Sequence, residues 1–211
     1  LDAALAATLE RVVGAADDEA VHDMRVAIRK TRTVLKCARP LYGRHHADAV
    51  RAAYTVVHRA TGALRDEEVL RETLAELGIR GPALAAFAET RARRERALRR
   101  HVVALVRRGA VADARALLAA LLTLPPHPRR AVAAATFARA IAERARRRVE
   151  RDRDVDPADI EGMHELRIAY KELRYVCELF AVVLPSDIAE QAHAAARFQK
   201  RIGELHDVDM A

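Results

Sequence analysis

Five basic residues recur at the spacing of one helical turn near the start of the chain. They are His22, Arg25, Arg29, Arg32 and Lys36. On a helix that turns about 100° per residue they share an arc of roughly 80°, in which no carboxylate falls. Like charges three or four residues apart oppose helix formation by roughly a few tenths of a kcal/mol per pair, and a solvated helix face normally mixes signs. This row, the first basic stripe, is about 21 Å long at 1.5 Å per residue and predicts contact with an extended anion.

A second basic stripe carries the same residue types farther along the chain. Its members are His164, Arg167, Lys171 and Arg174. They share one narrow arc of a helix, and Glu165 and Glu172 fall on its flank. The planar fork of arginine matches phosphate oxygens, and histidine beside it gains a proton as the pH falls. Both stripes therefore favour a phosphate-rich ligand.

The two stripes belong to an internal repeat. The segment Val21–Arg32 aligns with Met163–Arg174, numbered 142 higher, and its basic and apolar positions coincide. A second pair of segments, Gly62–Val69 and Gly203–Met210, matches at an offset of 141. Two matches in the same order indicate a duplicated helical unit. If the copies pack about a pseudo-twofold axis, the stripes face a shared groove or channel.

The second motif adds further candidates for the same anion site. Arg65 and His206 occupy matching places in its two copies. Arg59, Arg197 and Lys200 precede those motifs by a few residues and are predicted to extend the basic wall.

The elements that must position these residues are predicted to be long helices, since apolar residues recur at helical spacing along nearly the whole chain. The fold class is therefore all-α, with one repeat over residues 1–124 and the other over 125–211, divided at the proline-rich segment Pro125–Pro128. The predicted helices span residues 2–14, 19–39, 46–76 with a break after Asp66, 82–108, 110–122, 130–151, 157–183 and 186–208.

Composition agrees with a helical, anion-binding protein. Aromatic residues make up 4% of the 211 residues, so Ala, Leu and Val must form the core, and Lys plus Arg exceed Asp plus Glu by 37 to 30. This basic balance favours an anionic partner. The two cysteines form no metal-binding spacing, and no apolar run is long enough to cross a bilayer. We therefore expect a soluble, cytoplasmic protein, and the oligomeric state is left open.

At these residues the sequence resembles the CHAD family, the conserved histidine α-helical domain. The resemblance rests on VHDMRVAIRKTR, MHELRIAYKELR and the two G-x-L-[RH]-D segments, and it covers essentially the whole chain. It implies two pseudo-twofold-related helical bundles that enclose a basic groove or pore and bind inorganic polyphosphate, and an association with polyphosphate granules. We expect neither catalysis nor a cofactor. It also implies a phosphate-contacting role for the stripe residues. The chain ends soon after Asp207, so a helix matching residues 67–77 is expected to be missing.

Two other functions stay open at this point. A metal-dependent phosphohydrolase could use His206 and Asp207, but the first copy has Arg65 in place of the histidine, and arginines one turn from His22 and His164 would repel a divalent cation. The second function is nucleic-acid binding, in which the phosphate backbone of the nucleic acid would be the bound anion.

The case for nucleic acid rests on further arginine-rich runs, at residues 91–108 and 144–153, which could contact a phosphate backbone. Few aromatic residues are available to stack on bases, and a solvated face is the simpler interpretation of these runs. A protein-binding scaffold through Leu117–Leu124 is weaker still, because that stretch is more simply core.

Overall fold

The computed structural model describes residues 1–14, 17, 19–78, 81–127, 132–188, 190–191 and 193–198. The chain divides into two compact units, Leu1–Pro125 and Pro126–Ala211. Throughout the described part the regular structure is helical and contains no strand. The predicted all-α class is confirmed, whereas the pseudo-twofold relation between repeats stays a prediction.

The first unit is built from six helices. They are α1 (Asp2–Gly14), α2 (Glu19–Tyr42), α3 (Arg44–Ala60), α4 (Gly62–Glu76), α5 (Pro82–Arg107) and α6 (Ala110–Thr123). Helix α2 packs against α1 and α3, α3 also packs against α6, and α5 packs against α1, α4 and α6. Apolar side chains from these helices form one core, which buries Leu5, Met24, Ile28, Tyr54, Val57, Leu64, Val102 and Val111.

Helix α2 positions the first basic stripe because its opposite face belongs to the core. Val21, Met24, Ile28 and Leu35 recur three, four and seven residues apart, and each is no more than 2% exposed. Burial of this face fixes the rotation of the helix and therefore the direction of the basic face. The helix continues to Tyr42, beyond the predicted end. Gly43, at a φ of 82°, then turns the chain into α3 through a left-handed conformation that favours glycine.

The joint between α3 and α4 lies at Thr61, so the predicted break after Asp66 is wrong. Thr61 is fully buried, and its φ of −98° and ψ of 2° leave the helical region. Its hydroxyl donates a hydrogen bond of 3.0 Å to the carbonyl oxygen of His58. It also accepts one of 2.7 Å from Arg25 of α2. A side chain from another helix therefore stabilises the joint, which a local sequence pattern does not show.

The second unit contains α7 (Ala134–Asp152) and α8 (Ile160–Phe180), which pack against each other. Residues 186–188, 190–191 and 193–198 are also helical. Helix α8 begins three residues later than predicted, where Asp159 caps it by accepting a hydrogen bond of 3.0 Å from the Gly162 amide. A β-carbon at Gly162 would collide with the side chains of Val155 and Asp159, so a larger residue there would force these side chains to shift.

Candidate anion-binding surface

The first basic stripe lies in a groove rather than on an open helix face. All five of its side chains are half-buried on α2. Because the energetic cost of burying a cation is high unless an anion is near, the partners of each side chain decide what the groove does.

Arg25 stabilises the fold in addition to belonging to the first basic stripe. Its Nη1 donates hydrogen bonds of 2.8 Å to the carbonyl oxygen of His58 and 2.7 Å to the Thr61 hydroxyl. Burial lowers the pKa of Arg25, and the neighbouring cation Arg29 lowers it further, while Asp66 acts in the opposite direction. Arg25 therefore ties α2 to the α3–α4 joint, and only part of its guanidinium is left for a ligand.

Arg32 lies among other arginines. Burial lowers the pKa of Arg32, and the positive charges of Arg51 and Arg59 on α3 lower it further. Among the described residues, no carboxylate comes within 4.0 Å of Arg32, Arg29 or Arg59. Arg51 has one distant partner, Asp48, at 3.9 Å. We call Arg29, Arg32, Arg51 and Arg59 the cationic groove.

The cationic groove also contains donors without acceptors. The Nε atoms of Arg29 and Arg32 are buried, and within the described part of the chain they have no hydrogen-bond partner. Buried donors are normally satisfied, so we expect a water molecule or a ligand to accept hydrogen bonds from these atoms. Their N–H groups and the converging positive charge suit an oxyanion.

Arg65, at the start of α4, is already paired. Its guanidinium nitrogens lie 3.1 and 3.2 Å from the two carboxylate oxygens of Glu72, and 3.4 Å from Glu68. Burial acts to lower the pKa of Arg65, but the hydrogen bonds to Glu72 and Glu68 leave it raised. The same Glu68 side chain, 1% exposed, lies 3.1 Å from Arg99 of α5. Arg65 is therefore less available to an external anion than the sequence suggested.

The second basic stripe has a mixed environment on α8. His164 is exposed, whereas Arg167, Lys171 and Arg174 are half-buried. Arg174 donates a hydrogen bond of 2.8 Å to Glu178, so its charge is largely compensated. The Nε atom of Arg167 is buried and has no hydrogen-bond partner within the described residues. Arg167 is thus the member of this stripe that most resembles the cationic groove.

The acids predicted to flank the second stripe have a partner on α7. Arg148 donates hydrogen bonds of 2.9 Å to both Glu165 and Glu172. Arg197 is exposed on the helical residues that follow α8. Lys200 and His206, the remaining candidates, lie outside the described residues, as does Asp207.

Comparison with known proteins identifies the family. The family model of the CHAD domain matches residues 1–211. The chain belongs to the CHAD domain family. A similar solved structure is the crystal structure of the CHAD domain from the plant Ricinus communis, with a TM-score of 0.75 and 23% sequence identity, covering 95% of this chain and 69% of that chain. This likeness shows the fold. No curated protein matches the chain.

Acidic residues compensate much of the outer arginine run on α5 of this CHAD domain. Arg91 and Arg94 lie 2.9 and 3.0 Å from the carboxylate of Glu67, which is 4% exposed. Arg99 lies 3.1 Å from Glu95 as well as from Glu68. On α7, Glu143 similarly pairs with two arginines. These pairs weaken the case for a nucleic-acid surface built from the outer runs.

The described part of this CHAD domain holds no group of three or more His, Cys, Asp or Glu side chains that could bind a metal. Across the same residues, no helix has the length and apolar character needed to span a membrane.

Arg51 was not among the site residues predicted from the sequence. It lies on α3, outside both stripes, and becomes relevant only because α3 packs against α2 beside Arg32. The sequence did place Arg51 and Arg59 on the same predicted helix. A pattern along one helix, however, does not show which residues lie in a groove between two helices.

Proposed function

We propose that this CHAD domain binds inorganic polyphosphate through the cationic groove between α2 and α3, without catalysing its hydrolysis. The observation that carries the proposal is that Arg59 lies near Arg32, which is about one helical turn from Arg29 on α2. None of these three arginines has a carboxylate in ion-pairing range among the described residues. The family resemblance independently connects CHAD domains with polyphosphate.

Electrostatics favours a bound anion over an empty groove. Without a ligand Arg51 and Arg59 repel Arg32, and burial adds to the cost of the Arg32 charge. A chain of phosphates would reverse the sign of these interactions and supply acceptors for the Nε atoms of Arg29 and Arg32. The length of the first basic stripe, about 21 Å, favours several linked phosphates over a single one.

A binding role follows from the chemistry of the groove. Guanidinium groups donate hydrogen bonds and stay protonated at neutral pH, so they act as neither general bases nor nucleophiles. We propose that the second stripe, led by Arg167, contributes additional phosphate contacts. Association with polyphosphate granules is part of the same proposal.

The experiment compares long-chain polyphosphate with single-stranded DNA at equal phosphate concentration over several salt concentrations. We expect salt-sensitive binding and a preference for polyphosphate, because both polymers release counterions but the chain has few aromatic residues that could stack on bases. Arg29→Glu and Lys171→Glu should each weaken polyphosphate binding. Arg139→Glu changes the charge equally at an exposed residue of α7 and serves as the control.

Circular dichroism and thermal unfolding establish that each variant remains folded. Equal affinity for the two polymers would favour the nucleic-acid alternative. Normal polyphosphate binding by both Arg29→Glu and Lys171→Glu would show that the basic stripes are solvated faces, and the proposal would be wrong.

A further inference from the structure

Helix α5 carries a second group of arginines that lies outside the cationic groove. Arg96 and Arg100, one turn apart, have no carboxylate within 4.0 Å among the residues described. Arg107 follows on the same helix and donates a hydrogen bond of 3.5 Å to the carbonyl oxygen of Val13, at the end of α1. They contrast with Arg91 and Arg94, which a buried glutamate compensates. We call Arg96, Arg100 and Arg107 the α5 rim.

The α5 rim borders a cleft between α1 and α5. The cleft has a volume of about 550 Å³, within the range typical of small-molecule sites. Its floor is apolar and consists of Val13, Val103 and Ala104. Because Val103 packs against the core of the first unit, the floor is fixed by the fold.

The combination of an arginine rim and an apolar floor selects the class of ligand. Guanidinium groups recognise phosphate oxygens, and they also stack on flat rings. An inorganic phosphate chain would leave the apolar floor without a partner. From Arg96 to Arg107 the rim extends about 16 Å along the helix axis at 1.5 Å per residue. A ligand that occupies the whole rim has room for a charged part and an apolar part.

We infer that the α1–α5 cleft binds a nucleoside phosphate, with its phosphates on the α5 rim and its base on the floor of Val13, Val103 and Ala104. The inference does not depend on polyphosphate binding, because it uses a different pair of helices and different arginines. It assigns this CHAD domain a second anion site that recognises an organic phosphate.

The test measures ATP binding by isothermal titration calorimetry at constant salt, with tripolyphosphate as the ligand that has the phosphates but lacks the base. In the Arg29→Glu background, where the cationic groove is weakened, we expect ATP to bind more tightly than tripolyphosphate. The double variant Arg96→Ala/Arg100→Ala should lose at least tenfold in ATP affinity. Arg93→Ala, an exposed arginine of the same helix paired with Glu89, is the matched control and should bind normally.

Two further variants separate this site from the cationic groove. Ala104→Glu places a carboxylate on the cleft floor and should abolish ATP binding while leaving helical content unchanged. Arg29→Glu should leave ATP binding at the cleft intact, and Arg96→Ala/Arg100→Ala should retain polyphosphate binding. The inference is overturned if, in the Arg29→Glu background, ATP binds no tighter than tripolyphosphate, or if Arg29→Glu removes ATP binding and the rim variant does not.

Discussion

Replacing Arg32 with methionine should stabilise the unliganded protein and weaken its binding of polyphosphate. The folded protein lowers the pKa of Arg32 through burial and through the charges of Arg51 and Arg59, which means that the protonated side chain destabilises the fold. Two like-charge neighbours at roughly 0.2–0.5 kcal/mol each give about 0.4–1 kcal/mol. For a chain of this size the midpoint of thermal unfolding should rise by about 1–4 °C.

Methionine suits this experiment because it keeps an unbranched stem to pack where the arginine stem packs. The Nε atom of Arg32 has no hydrogen-bond partner within the described residues, so its removal sacrifices no identified bond there. When polyphosphate is bound, the effect of Arg32→Met reverses, because the lost guanidinium would have contacted the ligand. Loss of a charge-assisted hydrogen bond is worth about 1.5–3 kcal/mol, which corresponds to a loss of tenfold or more in affinity.

The assay is differential scanning fluorimetry with and without long-chain polyphosphate, supported by a binding titration. Arg139→Met, at an exposed position of α7, serves as the control and should change neither quantity. If Arg32→Met lowered the unfolding midpoint without ligand and left binding unchanged, Arg32 would be a stabilising part of the fold, and the electrostatic reasoning would be refuted.

Two predictions concern the fold that supports the surface. Arg25→Ala removes the hydrogen bonds to the His58 carbonyl and the Thr61 hydroxyl. In urea titrations it should lower the free energy of unfolding by about 1–3 kcal/mol. An unchanged unfolding midpoint would mean that the α3–α4 joint is stable without Arg25. Gly162→Ala should destabilise the second unit by about 1–3 kcal/mol, because the methyl group collides with Val155 and Asp159. Gly62→Ala, where nothing lies within 4 Å of the added carbon, should be neutral or stabilising in the same thermal-unfolding assay, and equal losses at both glycines would contradict this account.

The helical fold could be predicted from sequence because core and surface separate by periodicity. In α2 the apolar residues Met24, Ile28 and Leu35, which recur at helical spacing, are all buried. The joint at Thr61 could not be predicted, since it depends on Arg25 reaching across from another helix. The sequence predicted a break after Asp66, but only the tertiary contacts of Thr61 show where the joint lies.

The candidate site was predicted less completely than the fold. A stripe shows which cations share a helix face, but it does not show which of them the fold already pairs. Arg65 binds Glu72, and Arg174 binds Glu178, so these two are partly compensated. Arg51 was absent from the prediction because it enters the groove from α3. Whether a carboxylate neutralises a given arginine, and whether arginines of two helices lie close together, depends on how the helices pack against each other.

The two opposite faces of α2 restrict how this helix can change during evolution. Inserting or deleting one residue before Arg29 would rotate the part of α2 that follows the change by about 100° relative to the part that precedes it. Met24 and Ile28 could then no longer occupy the same interior together with the downstream residues, and the arginines would turn away from α3. Length variation in related chains should therefore concentrate in the connections between helices, while α2 diverges by substitution alone.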